Sequence, residues 1–169
     1  MVKVLITEKQ IKKRVSELAE TIARECISGH LHAIFVLKGA FIFCADLLRA
    51  LSKNDVDVTV DYTIAKSYVG TESSGEVKFS MNVDVGGKEV LLVEDIIDTG
   101  RTIKRLKEEL MKQDANSIKV ACLLDKPSRR EVDMKADYVG FEIPDKFVVG
   151  YGLDCDEKYR HFPCVKIIE

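Results

Sequence analysis

The sequence lacks any long apolar run, and it lacks an excess of charge of either sign. The longest apolar runs, such as residues 40–45, are far too short to span a bilayer. The 26 basic and 28 acidic side chains give a formal net charge of -2, so no basic excess indicates a nucleic acid or an anionic membrane as a partner. The first ten residues carry three charges and contain no signal-peptide core. We therefore expect a cytoplasmic protein.

The five cysteines show none of the spacings that are typical of a zinc site or a redox pair. They are Cys26, Cys44, Cys122, Cys155 and Cys164. Because no Cys-x-x-Cys and no His-x-x-His spacing occurs, a structural zinc site or a thioredoxin-like dithiol is not expected. The odd number argues against a disulfide framework, so we expect reduced cysteines that pack in the interior.

Length and composition favour one compact domain over residues 1–169. The sequence is 46% hydrophobic and 32% charged, which is typical of an ordinary globular protein and not of a disordered or collagenous one. It contains no internal repeat and no low-complexity linker. A chain of this length can bury a sizeable core.

The first helix is predicted from an apolar face at helical spacing. This face begins at Ile11 and ends at Cys26. Thr7 is placed as the N-cap and Gly29 as the stop. The segment is interpreted as scaffold.

Three apolar runs without polar alternation predict strands that are covered on both faces. They occupy residues 31–37, 90–93 and 120–124. Helical segments follow the first two runs, one up to Leu51 and one from Thr102 to Gln113, with residues 94–100 as a loop. This order predicts a mainly parallel sheet with helices on both faces. The loops after the three strands then share the edge at which such sheets bind ligands.

Two further strands are predicted from strict alternation of apolar and polar residues. The first occupies residues 56–64 and is expected to bury one face only, and the second occupies residues 77–85. Between them, residues 67–76 are small and polar, which is typical of a mobile loop at the tip of a hairpin.

Residues 94–102, which read EDIIDTGRT, form the segment with the clearest chemistry. Amides of residues 99–102 at a helix N-terminus can surround an anion such as phosphate. The segment is not a Walker loop, and no dinucleotide fingerprint occurs. Three carboxylates beside a phosphate repel it unless a hard divalent cation such as magnesium lies between them. The alternative is that Glu94 and Asp95 are solvated strand-end charges and that Asp98 is only an N-cap.

The segment VEDIIDTGRT resembles the diphosphoribosyl-binding motif of the type I phosphoribosyltransferases. Four other segments, in matching order, resemble the hypoxanthine-guanine phosphoribosyltransferases of that family: VLKGAFIFCADLL, KSYVGTESSGEVK, ACLLDKPSRREV and YVGFEIPDKFVVGYGLDCDEKYR. The resemblance covers nearly the whole chain. It implies an α/β fold with a central, mainly parallel sheet flanked by helices, a small hood and a flexible antiparallel hairpin loop.

The resemblance also implies an activity. Such enzymes transfer ribose 5-phosphate from phosphoribosyl diphosphate to a 6-oxopurine and release diphosphate, with magnesium as the cofactor. The principal hypothesis is a salvage enzyme that makes IMP from hypoxanthine and GMP from guanine. A preference for xanthine is one alternative. A non-catalytic regulator that senses the sugar diphosphate is another, although the chain has room for neither an added nucleic-acid-binding domain nor a marked basic face.

The resemblance implies roles for the acidic segment. Asp98 matches the catalytic proton acceptor at purine N7. Glu94 and Asp95 match the pair that meets the ribose hydroxyls and magnesium, and Asp154 matches a further magnesium contact. The 5-phosphate cradle corresponds to Thr99, Gly100, Arg101 and Thr102.

The remaining substrate contacts are also implied by position. The diphosphate contacts correspond to Lys38, Gly39 and Arg160, and the family often has a non-proline cis peptide at Lys38. The base contacts correspond to Lys126, which donates to the 6-oxo group, Phe147, which stacks on the base, and Val148, whose main chain meets the base edge. The loop that folds over the reacting centre corresponds to Ser67 and Tyr68. The sequence departs from its relatives at Ala40, where glycine or serine is common, and at Cys155, where tyrosine is common.

The expected partners are the 6-oxopurine base and phosphoribosyl diphosphate, with neither nucleic acid nor membrane. Relatives are dimers or tetramers, and symmetric association is the general expectation. We therefore expect a homodimer or homotetramer.

Overall fold

The computed structural model describes residues 2–67, 77–80 and 83–168. Its helices are α1 (Glu8–Glu25), α2 (Phe41–Leu51) and α3 (Arg101–Met111). Its strands are β1 (Val2–Ile6), β2 (His30–Leu37), β3 (Asp57–Ser67), β4 (Val77–Ser80), β5 (Glu89–Ile97), β6 (Ser117–Asp125), β7 (Tyr138–Glu142), β8 (Val148–Val149) and β9 (Val165–Ile168). Most of the predicted mobile loop, including Tyr68, lies outside the described residues.

Six strands form one sheet in the order β4-β3-β2-β5-β6-β7. Strands β3, β2, β5, β6 and β7 are parallel, and β4 pairs antiparallel with β3. The core side chains of α1 and α2 cover one face of this sheet, and those of α3 cover the other. The remaining strands form a small antiparallel sheet in the order β1-β9-β8. The predicted mainly parallel α/β fold is thus confirmed.

Helix α1 begins where the sequence predicts it. The Thr7 hydroxyl accepts a hydrogen bond from the Gln10 amide (3.3 Å), and the Gln10 side chain accepts one from the Thr7 amide (2.9 Å), which is a capping box. The buried stripe includes Ile11 and Ile22. No helix among the described residues is long and apolar enough to cross a membrane.

Strand β5 is longer than the sequence predicts, and this corrects the assignment of residues 94–100 to a loop. Ile96 and Ile97 still pair with β6, opposite Leu124 and Asp125. The backbone therefore remains in the sheet until Ile97, and the loop consists of residues 98–100. Helix α3 begins at Arg101 and ends at Met111, two residues earlier than predicted.

The alternating strands also differ from their predictions. Val60 and Tyr62 of β3 are 45% and 54% exposed, whereas the polar Thr63 is fully buried. The apolar face is left open at these positions because α2 packs over β2 and β5 rather than over β3. Within predicted strand 77–85, the described strand is β4, and Val83 and Val85 are buried without belonging to a strand.

All five cysteines are free, as predicted. Cys44 and Cys122 are buried, and the other three are partly buried. Burial raises the pKa of the Cys44 thiol to about 12, so this thiol stays protonated and unreactive in the folded protein.

The packing of α3 predicts that alanine substitutions at two neighbouring residues change the free energy of unfolding by different amounts. Leu110 is fully buried, whereas Met111 is 56% exposed. We expect Leu110→Ala to lower the free energy of unfolding by about 2–5 kcal/mol, because it leaves a cavity. Met111→Ala should change it by less than about 0.5 kcal/mol. Urea unfolding measures both, and equal losses would contradict the described packing.

Candidate active site

Two adjacent carboxylates lie near the carboxyl end of β5. Glu94 is almost fully buried. Its Oε1 accepts a hydrogen bond from the Asp95 amide (3.0 Å), and Asp95 Oδ1 accepts one from the Ile96 amide (2.7 Å). Burial, and then the neighbouring Asp95 charge, raise the pKa of Glu94 well above its ordinary value. Burial also raises the pKa of Asp95. A cation beside the pair would favour the ionised form of both groups.

The loop after β2 lies directly against these carboxylates. The peptide bond between Leu37 and Lys38 is cis. A Cβ at Gly39 would overlap the Asp95 carboxylate, and a Cβ at Gly152 would overlap the Gly39 carbonyl oxygen. Gly152 also has a φ of +103°, in the region that favours glycine. The two glycines therefore allow the β2 loop, the end of β5 and the segment 150–160 to meet.

The segment 150–160 places cationic and acidic groups at this junction. Arg160 Nη2 lies 2.9 Å from Asp154 Oδ1, and Arg160 Nη1 donates to the Gly152 carbonyl (2.8 Å). Lys38 Nζ lies 2.9 Å from Glu157 Oε2. Among the described residues, the buried Arg160 Nε finds no hydrogen-bond partner. Two cations and an unused donor suit an anionic ligand.

The turn before α3 forms a second anion site. Gly100 is the N-cap residue with a φ of +83° and, as a glycine, has no side chain that could cap the helix. The Arg101 amide donates to the Thr99 hydroxyl (3.3 Å), and the Arg101 guanidinium lies 2.7 Å from Glu131. Thr102 stands in the first turn. Free amides at a positive helix end suit a phosphate group.

A chain of four charged side chains connects the loops after β5 and β6. Arg129 Nε lies 3.1 Å from Asp98 Oδ1, and Arg129 Nη1 lies 3.8 Å from Asp145 Oδ2. Asp145 Oδ1 lies in turn 3.9 Å from Lys126 Nζ. Hydrogen bonding and charge from Asp98, with a further contribution from Asp145, raise the pKa of Arg129. The Asp98 carboxylate, which can accept hydrogen bonds, is thus linked to the nearly buried Lys126 through the side chains of Arg129 and Asp145.

Arg130 fixes the backbone of this region. Its Nη1 donates to the Asp98 carbonyl (2.6 Å), and its Nη2 pairs with the buried Asp125. The Lys126 amide donates to the Ile97 carbonyl (3.0 Å). The loop after β6 is therefore bonded directly to the loop after β5.

Phe147 and Val148 follow Asp145 by two and three residues. The Phe147 ring is 56% exposed and stacks on no other aromatic ring in the part of the chain that the structure describes. Val148 is buried in β8, opposite Ile167. The exposed Phe147 ring is available for stacking on a planar ligand.

The structure brings most of the residues with predicted roles into two groups at one edge of the sheet. The first group consists of Lys38, Gly39, Asp95, Asp154 and Arg160. The second contains Asp98 and Lys126, with the turn at residues 99–102 next to Asp98. Ser67 lies at the end of β3, where its backbone pairs with Val77.

Five charged residues in the loops around these groups were not assigned roles from the sequence. They are Arg129, Arg130, Glu131, Asp145 and Glu157. Each lies inside a segment that the sequence analysis quotes, so its charge was visible. Its partner was not, because the pairs join loops that are far apart in the sequence.

The family model for the phosphoribosyl transferase domain matches residues 3–156. The chain belongs to this phosphoribosyltransferase family. It is 46% identical over 170 residues to the hypoxanthine-guanine phosphoribosyltransferase of Bacillus subtilis, covering 99% of this chain and 93% of that protein. It is also 46% identical over 171 residues to the enzyme of that name from Aquifex aeolicus, covering 99% and 94%.

Solved structures of phosphoribosyltransferases share the fold. A crystal structure of a hypoxanthine-guanine phosphoribosyltransferase from Bacillus anthracis, with a HEPES molecule in its active site, matches with a TM-score of 0.92 at 45% identity over 100% of both chains. A hypoxanthine phosphoribosyl transferase from Trypanosoma cruzi matches with a TM-score of 0.93 at 37% identity, covering 99% of this chain and 91% of that one.

The glycine contact in this phosphoribosyltransferase predicts the effect of one added methyl group. Gly152→Ala places a Cβ on the Gly39 carbonyl oxygen, whereas a Cβ at Gly29 meets nothing within 4 Å. Both positions have a positive φ, so both alanine variants carry a backbone cost of about 1–2 kcal/mol.

Overlap should lower the stability of Gly152→Ala by a further ~1–3 kcal/mol and weaken diphosphate binding. Thermal unfolding and calorimetric titration of diphosphate with magnesium measure the two effects. Identical behaviour of the Gly29→Ala and Gly152→Ala variants would contradict the described contact.

Proposed function

We propose that this protein is a purine salvage transferase. It converts hypoxanthine, and guanine, with 5-phosphoribosyl 1-diphosphate into IMP, and GMP, with release of diphosphate. The observation that carries the proposal is the connection from Asp98 through Arg129 and Asp145 to Lys126. Asp98 can accept a proton from a purine and Lys126 can donate a hydrogen bond to it. The N-terminus of α3, which suits a phosphate, follows Asp98 in the chain. The names of the relatives at 46% identity support the same activity.

The two anion sites hold the sugar substrate at its ends. The amides of residues 99–102 bind the 5-phosphate, and Lys38, Gly39 and Arg160 bind the diphosphate. The ribose then lies over the end of β5, where Glu94 and Asp95 accept hydrogen bonds from its hydroxyl groups. Fixing both anions removes rotational freedom and turns the reacting carbon toward the base.

Purine recognition depends on opposite hydrogen-bonding roles. The Lys126 ammonium donates only, so it suits a 6-oxo group and offers no acceptor to a 6-amino group. Asp98 accepts the proton from purine N7 as the new bond to the ribose forms. Phe147 stacks on the base, and the main chain of Val148 meets its edge.

The donor set fits magnesium that arrives with the substrate. No group of three or more metal-binding side chains occurs among the described residues. Magnesium in phosphate enzymes commonly uses one or two carboxylates together with phosphate and water oxygens. The Asp95 carboxylate lies against the loop after β2, so it would hold the ion together with phosphate and water oxygens. Glu94 and Asp154 would contact the ion directly or through water, as the resemblance implies. An ion held there would supply positive charge to offset the charge of the diphosphate leaving group.

Self-association into a homodimer or homotetramer and a cytoplasmic location stay predictions.

A panel of bases tests the proposed reaction. With phosphoribosyl diphosphate and magnesium, we expect the wild-type protein to form nucleotide from hypoxanthine and guanine and to leave adenine unconverted. Lys126→Gln keeps a donor, loses the charge and can also accept, so it should discriminate less well between 6-oxo and 6-amino purines. Lys112→Gln, at the exposed C-cap of α3, is the matched control.

Chromatography of the products separates the outcomes of this experiment. Conversion of xanthine in preference to hypoxanthine would replace the proposed base specificity. Absence of nucleotide from every base would favour the sensing protein. Unchanged hypoxanthine and guanine kinetics in Lys126→Gln would leave Lys126 as a structural charge.

The role of Asp98 predicts a loss of turnover without a loss of binding. Asp98→Asn keeps the size of the side chain and an oxygen for Arg129, but it cannot take a proton at neutral pH. We expect kcat to fall about 10²- to 10⁴-fold, the usual scale of general acid-base catalysis, with IMP affinity nearly unchanged. Steady-state kinetics and calorimetry measure these quantities. Asp55→Asn, at a left-handed position that asparagine also tolerates, is the control. Near wild-type turnover of Asp98→Asn would remove Asp98 from this role.

A further inference from the structure

Glu157 occupies the same corner as the two cations of the diphosphate site. Its Oε2 lies 2.9 Å from Lys38 Nζ and 3.5 Å from Arg160 Nη2. One carboxylate oxygen is thus shared between the two side chains that the proposed function assigns to diphosphate. The Glu157 side chain is itself 65% exposed, so it can leave the corner without unfolding its surroundings.

The backbone holds Glu157 in this position. Cys155 and Lys158 pair through two hydrogen bonds of 3.2 and 3.0 Å, with Asp156 and Glu157 as the two residues of the turn between them. Both have a left-handed backbone, with φ of +52° and +61°, as a tight two-residue hairpin turn requires. The Glu157 amide also donates to Asp154 Oδ2 (2.9 Å). The carboxylate is therefore presented from a defined turn.

The charge balance of the corner resembles that of an occupied anion site. The Glu157 carboxylate contacts both cations through a single oxygen. The buried Arg160 Nε still has no partner among the described residues. The corner therefore contains two cations, the carboxylates of Glu157 and Asp154, and an unused donor that a larger anion could engage.

We infer that Glu157 is a specificity-determining residue that competes with the substrate diphosphate for Lys38 and Arg160. The inference rests on the proposed function, because that function places the diphosphate at these cations. Diphosphate binding has to displace the carboxylate and break its two ion pairs. Exposed pairs of this kind are individually weak, so the competition weakens diphosphate binding by about two- to tenfold. Binding of a nucleoside monophosphate is unaffected, because it has no diphosphate group and leaves the Glu157 ion pairs in place.

Calorimetric titration with inorganic diphosphate and magnesium, and separately with IMP, tests the inference. Glu157→Gln removes the charge and keeps the size, and Glu157→Asn places a residue that favours the left-handed backbone. Glu109→Gln is the matched control, because Glu109 Oε1 likewise lies between a lysine at 2.9 Å and an arginine at 3.3 Å, but on α3.

We expect both Glu157 variants to bind diphosphate about two- to tenfold more tightly than the wild type, with a smaller difference at high salt. IMP affinity, and both affinities of Glu109→Gln, should match those of the wild type. If the wild type binds diphosphate and forms IMP while the Glu157 variants bind diphosphate equally or more weakly, the inference is wrong and the proposed function stands. If the wild type neither binds diphosphate nor forms nucleotide, both are wrong.

Discussion

Electrostatic balance at the carboxyl edge of the sheet is the constraint on which this site depends. Under the proposed function, this edge contains carboxylates for proton transfer and for a cation, and it also binds two anionic groups of the substrate. Like charges at such short range repel each other, and a buried charge is destabilising unless it has a partner of opposite charge. The chain meets this demand with internal partners: Arg129 for Asp98, Asp145 for Lys126, and Glu157 for Lys38. These pairs are partly exposed, so substrate groups can replace them at modest cost.

Close packing of backbones brings these charges together. Gly39 contacts both the Asp95 carboxylate and the region of Gly152, where any larger side chain would overlap main-chain or carboxylate atoms. In the second group, Arg130 connects the loops after β5 and β6, because it bonds both the Asp98 carbonyl and the buried Asp125. The parallel sheet supplies the frame, since β2, β5 and β6 all end at this edge.

The helices and strands could be predicted from the sequence better than the side-chain contacts of the site. Buried strands and α1 follow from apolar periodicity and a capping box, which are local properties. The continuation of β5 to Ile97 was missed because Glu94 and Asp95 interrupt the apolar run, although the ladder to β6 continues. The exposure of Tyr62 was missed because alternation indicates which residues share a face, and it does not indicate whether a helix covers them. The partner of Glu157 depends on a turn that meets the β2 loop more than a hundred residues away in the chain. The catalytic and binding roles themselves stay predictions.

A crystal structure with IMP, diphosphate and magnesium would show how the edge of the sheet binds its ligands. We expect Lys126 Nζ at hydrogen-bond distance from the purine 6-oxo group, Asp98 at N7, the 5-phosphate on the amides of residues 99–102, and diphosphate at Lys38 and Arg160 in place of Glu157. A nucleotide whose phosphate lies at α3 but whose base lies away from both Lys126 and Asp98 would contradict this expectation.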